Sequence, residues 1–220
     1  MITLQQVHDE AQRMLEGAPD GAPLDEATAQ LVAFSVRIAV TTLDTAGAAV
    51  HAQAALRAGV TPAQLREALF LVSGLGVHSL FEGLGLTQPA GAAAGESSAE
   101  PDASRQALWD TWVGTDRYWQ GFERELPGFL PGLLEASPDG FDAFFRYCAV
   151  PWKSGQLPAL SKELIAMACD ATPTHRYLPG MRLHLRNALK LGAGQAMVRG
   201  ALELAAQAPP HPGVGANRSI

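Results

Sequence analysis

The chain has 220 residues, a net charge of −6 and a pI near 5.5, with 47% hydrophobic residues and only two cysteines. An acidic chain without a basic patch is not expected to hold nucleic acid or an anionic membrane, and two cysteines are too few for a disulfide framework. Ala, Leu and Gly dominate while β-branched residues are sparse, which predicts an all-α protein, and its expected place is cytoplasmic.

The opening residues MITLQQVHDEAQRMLEG read as an amphipathic helix with Leu4, Val7, Ala11 and Leu15 on one side. They lack the basic start and apolar run of a signal peptide. No stretch approaches the roughly 18 uninterrupted apolar residues of a membrane span, so none is expected. Next comes a helix, turn, helix pattern. In GAAVHAQAALRAG, residues Ala48, His51, Ala52, Ala55, Leu56 and Ala58 share one arc. Gly59 falls where a left-handed residue ends that helix, Thr61 is a natural N-cap, and Pro62 fits the first turn of the next helix. That helix is expected to run to the neighbourhood of His78. The Ala/Gly/Ser/Pro run at 88–104 reads as a flexible linker. From Trp109 to Trp152 the aromatics gather, either to pack the bundle or to line a pocket or interface.

The last third repeats the first. Leu24–His78 and Leu157–His211 align without a gap at an offset of 133 residues, with identities at His51/His184, Ala55/Ala188, Leu56/Leu189, Gly59/Gly192 and His78/His211. Repeated apolar residues can be explained by packing alone. Two pairs of titratable imidazoles at one register ask for a chemical reason.

The second copy, SKELIAMACDATPTHRYLPGMRLHLRNALKLGAG, resembles the carboxymuconolactone decarboxylase and alkylhydroperoxidase D-like superfamily. The first copy resembles it in VHAQAALRAGVTPAQLREAL. The resemblance implies an all-α fold of two helical repeats packed as one bundle assembly. It also implies homo-oligomers, dimer or trimer, with sites between helices or subunits. On this reading residues 1–87 are one repeat, 88–104 the linker, and 105–220 the other repeat with its aromatic lead-in. The peroxidase branch carries a Cys-x-x-Cys pair shortly before the motif histidine. Here Tyr177 and Gly180 precede His184, and Asp44 and Gly47 precede His51. The chain therefore looks like the cysteine-free branch, which includes a decarboxylase of aromatic catabolism.

The expected function is a cofactor-independent enzyme, without a metal, acting on a small carboxylated or lactone-type metabolite by decarboxylation or proton transfer. His184 would move the proton and Glu163 would orient or deprotonate it. The first copy has Gln30 where the second has Glu163, so the second copy would be the catalytic one. Arg182, Arg186 and His211 are candidates to anchor a substrate carboxylate, and His175 to reach over the site from its Pro-flanked loop. Trp152 is a candidate pocket wall, while His51 and His78 are substrate-side candidates of the first copy. Each histidine also has a plain alternative as a packed residue or a partner of a helix dipole, and Arg182 and Arg186 as ion-pair residues. Two rival functions remain: a non-catalytic binding or assembly protein on the same fold, and a thiol peroxidase, which would need Cys169 exposed and activated.

Overall fold

The computed structural model describes residues 1–95 and 102–214, and among these every regular element is helical. In chain order they are α1 (Leu4–Met14), α2 (Glu26–Ile38), α3 (Thr45–Arg57), α4 (Pro62–Ser73), a 3-10 turn (Gly74–Val77), α5 (His78–Ala93) and α6 (Ala103–Trp112). There follow α7 (Arg117–Glu125), α8 (Phe129–Ala136), α9 (Pro138–Cys148), α10 (Val150–Lys153), α11 (Ala159–Asp170), α12 (Leu178–Lys190) and α13 (Gln195–Ala206). The chain forms two compact units, one of Met1–Ser73 with Ser154 onward and one of Gly74–Lys153. The second repeat lies in the first unit, as does the first repeat up to Ser73.

In the first unit α2 pairs with α3 and α11 with α12, while α2 and α11 pack on each other at the centre. α4 and α13 each rest on both central helices, and α1 lies on α12. The core follows: α11 buries every residue from Ser161 to Asp170, and α2 buries Leu31 to Val36. The amphipathic stripe of α1 is buried as its spacing requires, with Val7 and Ala11 fully covered and Leu15 nearly so.

The two halves match element by element. α12 and α13 begin and end 133 residues after α3 and α4. The loops match too: Leu43 and Arg176, one offset apart, are the described non-glycine residues with positive φ, at 44° and 51°. Their amides bond back to Ala39 O (2.8 Å) and Thr172 O (3.0 Å), and the following amides, Asp44 N and Tyr177 N, reach Arg37 O (2.9 Å) and Asp170 O (2.8 Å). Gly59 and Gly192, at φ 92° and 96°, close α3 and α12 in matching left-handed turns. The predicted Thr61 cap is present, with Thr61 Oγ1 accepting from Gln64 N at 3.2 Å. A close approach of two backbones fixes where α13 starts. Gln195 N and Ala196 N donate to Pro19 O and Asp20 O, both at 2.9 Å, and a Cβ on Gly21 would sit 2.8 Å from the Gly194 Cα.

In the second unit the aromatic residues pack on one another. Phe81 meets Phe129 at 4.0 Å edge to face, Trp112 stacks on Phe145 at 5.5 Å, and the Trp112 indole donates to Asp142 at 2.9 Å. One expectation changes here. The run read as a linker at 88–104 is helical in part, since α5 continues through Pro89 to Ala93 and α6 opens at Ala103; 96–101 lie outside the described residues. Alanine-rich sequence favours helix even where its complexity is low. In addition, Pro62–Thr87 is long and apolar enough to cross a membrane by length and composition, with hydropathy 1.5 and 17% of that window buried. Scattered glycines and polar residues hide it from a search for an unbroken apolar run.

One buried ion pair ties α4 to α11. Lys162 Nζ lies 2.6 Å from Glu67 Oε1, and both side chains are almost fully buried. Glu67 also accepts from Ser154 Oγ, Gln156 N (2.8 Å) and Leu157 N (3.3 Å), so it pins the segment leading into α11. Lys162→Ala, which strands the Glu67 charge, is expected to lower the unfolding free energy by roughly 3–5 kcal/mol in denaturant titrations. The double change Glu67→Gln with Lys162→Met is expected to recover most of that loss.

Candidate active site

Glu163 sits on the second turn of α11, where its side chain would be enclosed on all sides; it is buried, at 3% exposure. The helical pairing of α11 with α12 brings His184 opposite it. His184 Nδ1 lies 2.7 Å from Glu163 Oε2, and Asn187 Nδ2 donates to Glu163 Oε1 at 3.3 Å. Glu163 therefore does not face solvent, and the predicted pair is a direct contact. The His184 side chain keeps 17% of its surface exposed. With Nδ1 held by the carboxylate, Nε2 is the nitrogen available for chemistry.

The electrostatics favour the protonated ring. Burial alone pushes the His184 pKa down, but the hydrogen bond that Glu163 accepts from the ring, the Glu163 charge, and the charge of Asp170 outweigh burial and raise it above the usual histidine value. Asp170 follows Glu163 by two helical turns on α11 and is fully buried. His175 Nε2 lies 3.5 Å from Asp170 Oδ1, and its ring stacks on Tyr177 with centroids 5.6 Å apart. The Asp170 carboxylate occupies the space a side chain at residue 180 would need: a Cβ on Gly180 would come within 3.0 Å of Asp170 Cγ. Sequence reasoning did not single out Asn187, Asp170 or Gly180. The first two carry a periodicity signal, Asn187 one turn beyond His184 and Asp170 two turns beyond Glu163.

The first repeat reproduces the pair with different chemistry. His51 Nδ1 lies 2.8 Å from Gln30 Oε1, at the positions equivalent to His184 and Glu163. Arg37 stands where Asp170 stands in the second copy; it bonds to Asp44 at 2.6 Å, and Asp44 caps α3 by accepting from Gly47 N at 3.0 Å. Burial, with the Arg37 charge, lowers the His51 pKa below the usual value, against a smaller opposing effect of Asp44.

The other candidates are placed as follows. Arg182 and Arg186 lie on the α1 side of α12: Arg182 Nε is 3.4 Å from Glu10 Oε1, and both arginine charges help hold the Glu10 pKa down, behind its hydrogen bond with Arg13. An open groove of about 480 Å³ on that side is lined by Arg13, Met14, Arg186, Leu189 and Lys190. By helical phase this is the half of α12 turned away from His184. His211 lies beyond the end of α13, exposed, with its Nδ1 accepting from Gly213 N at 2.8 Å. His78 does not end a helix but opens α5, its ring 5.5 Å from Phe81, and Trp152 lies on α10; both belong to the second unit. Cys169 is fully buried and its thiol pKa is pushed well above the usual value by burial, with Asp170 adding to the shift, which withholds the thiolate a peroxidase needs.

Comparison with known proteins follows the same lines. The profile of the carboxymuconolactone decarboxylase family matches residues 9–75. A solved structure from Burkholderia xenovorans LB400, assigned as a gamma-carboxymuconolactone decarboxylase subunit, is similar over 93% of this chain and 90% of that one, with a TM-score of 0.71 and 29% identity. Residues 9–75 thus carry the family's pattern, and the chain as a whole shares that structure's fold. No curated protein matches the chain. The family match falls on the copy with Gln30 and His51, whereas the carboxylate–imidazole pair of this chain lies in the other copy.

The raised His184 pKa makes the pair pH-dependent in a defined direction. A group whose pKa is higher folded than unfolded stabilises the fold fully below its unfolded value, about 6.5, and loses that contribution as pH rises through the folded value. Thermal stability of the wild type is therefore expected to decline from about pH 6.5 upward relative to Glu163→Gln, and parallel melting curves in Glu163→Gln and wild type across that range would contradict the assignment.

Proposed function

We propose that this chain is a cofactor-independent enzyme that acts on a small carboxylated or lactone-type metabolite by decarboxylation or a related proton transfer. The observation that carries the reading is the 2.7 Å contact between buried Glu163 and partly exposed His184. In this reading His184 Nε2 delivers a proton to, or removes one from, the substrate. Glu163 fixes the ring through Nδ1 and balances the imidazolium while it carries the proton, and Asn187 holds the second carboxylate oxygen. The family match over residues 9–75 and the similarity to the B. xenovorans structure support decarboxylation as the first reaction to assay, with isomerisation and lactone hydrolysis beside it. The duplicated helices and the missing carboxylate at Gln30 support assigning the proton transfer to the second copy.

Turnover on a panel of lactone and aromatic carboxylic acids tests this. His184→Ala is expected to lower kcat by about 10²–10⁴-fold. Glu163→Gln is expected to lower kcat and to move the histidine limb of the pH profile downward, because only the smaller effect of the Asp170 charge then opposes burial. Full turnover in His184→Ala would overturn the reading. The alternative of a non-catalytic assembly protein draws on the groove lying away from His184, and predicts that no member of the panel is turned over even by wild type.

A homo-oligomer located in the cytoplasm is part of the proposal. The B. xenovorans protein is described as a subunit, and α3 and α4 expose apolar side chains: Val50 at 64%, Leu69 at 41% and Phe70 at 51%. Leu183 and Leu202, the equivalents of Val50 and Leu69, are 5% and 7% exposed, and the equivalent of Phe70 is Glu203. Phe70→Glu is expected to lower the assembly state measured by light scattering, while Glu203→Lys leaves it unchanged.

A further inference from the structure

The two repeats hold their histidines in the same backbone frame, yet every polar residue set around the ring differs. In the second repeat the partner is Glu163, the position two turns along α11 is Asp170, and the helix opens on Ala159. In the first repeat the same three positions are Gln30, Arg37 and Glu26. Glu26 Oε1 accepts from Gln30 Nε2 at 2.8 Å. A carboxylate only accepts, so this bond fixes which end of the Gln30 amide points each way, and its oxygen faces the ring. His51 Nδ1, at 2.8 Å from that oxygen, must therefore carry the hydrogen. The lone pair of neutral His51 is left on Nε2. The groups facing this ring are Gln30 and Arg37 from α2 and Asp44 from the loop before α3; Arg37 opposes a positive charge there, and the Arg37–Asp44 bond leaves little of the Asp44 charge to offset it.

We infer that the first repeat carries a second ligand site of opposite polarity, in which His51 Nε2 accepts a hydrogen bond from a neutral hydroxyl group, whereas His184 Nε2 donates one to a carboxylate. The inference rests on the reading of His184 as a substrate-facing acid in the second repeat. The chain then has two non-equivalent sites, one for an acceptor and one for a donor. Replacing Gln30 by glutamate removes the distinction, because a carboxylate on Nδ1 stabilises the imidazolium.

Long-range ¹H–¹⁵N spectra of the full-length protein read the tautomer and titration of each ring separately, and phenol and benzoate serve as probes that share a ring but differ in donor and acceptor character. The expected result is His51 neutral at about pH 7 with hydrogen on Nδ1, while His184 keeps its second proton to higher pH than His51 does. Phenol should shift the His51 signals with at least about tenfold higher affinity than benzoate does, and the order should reverse at His184. In Gln30→Glu the His51 pKa should rise and its preference should turn to benzoate. A hydrogen on His51 Nε2, equal responses of His51 to the two probes, or no response of His51 to phenol would each overturn the inference. If benzoate leaves His184 unmoved while phenol still binds at His51, it is the carboxylate-site reading of the second repeat that fails instead.

Discussion

The constraint on which the first unit depends is that α11, one of its two central helices, is buried from Ser161 onward and charged. From Ser161 to Asp170 every residue of α11 is buried, yet the helix carries Lys162, Glu163 and Asp170. A buried charge is tolerable only with a partner in place, so each of the three dictates something about its surroundings. Lys162 requires Glu67 on α4, which in turn gathers the amides leading into α11. Glu163 requires His184 and Asn187 on α12. Asp170 takes the space over Gly180 and approaches His175. The first two demands fall on different helices, so the same residues that would be costly alone lock α4 and α12 against α11.

The internal near-symmetry explains how this charged helix is accommodated. The pair α2 and α11 occupies the centre, and each copy's third helix rests on both. The backbone is copied closely enough that left-handed residues recur, Leu43 with Arg176 and Gly59 with Gly192. Against that fixed frame the polar side chains diverged: Gln30 against Glu163, Arg37 against Asp170, Ala54 against Asn187. One frame thus holds one imidazole whose protonated form is favoured and one whose neutral form is favoured. The separation comes from neighbouring charge, since both rings are partly buried and burial alone pushes both pKa values the same way.

How far the sequence was readable varies with the kind of interaction. The repeat, the helix–turn–helix rhythm and the caps at Thr61 and Gly59 follow from local periodicity or from the constant offset, while the Glu163–His184 partnership was suggested by the family resemblance. Arg182 and Arg186 were placed on the polar half of their helix by the same logic, and Glu10 of α1 meets that half. The supporting contacts were not readable. Glu67 and Lys162 are far apart in sequence with no shared pattern, and nothing in the equivalent residues Gly200 and Ala29 hints at them. The role of Asp170 is hidden for a similar reason, since its carboxylate is recognisable only once the backbone at Gly180 is seen to leave it room.

Sequence alone determined the class of the fold, its doubling and the two histidine registers, because helical periodicity and gapless self-similarity are local properties that a chain carries without folding. Tertiary structure decided which helices meet, where the buried charges find partners, and that the two rings sit in opposed electrostatic surroundings. Those depend on distances between residues remote along the chain: a pKa is set by every charge and every wall around a group, and only the packed α2–α3 and α11–α12 pairs bring those groups within reach.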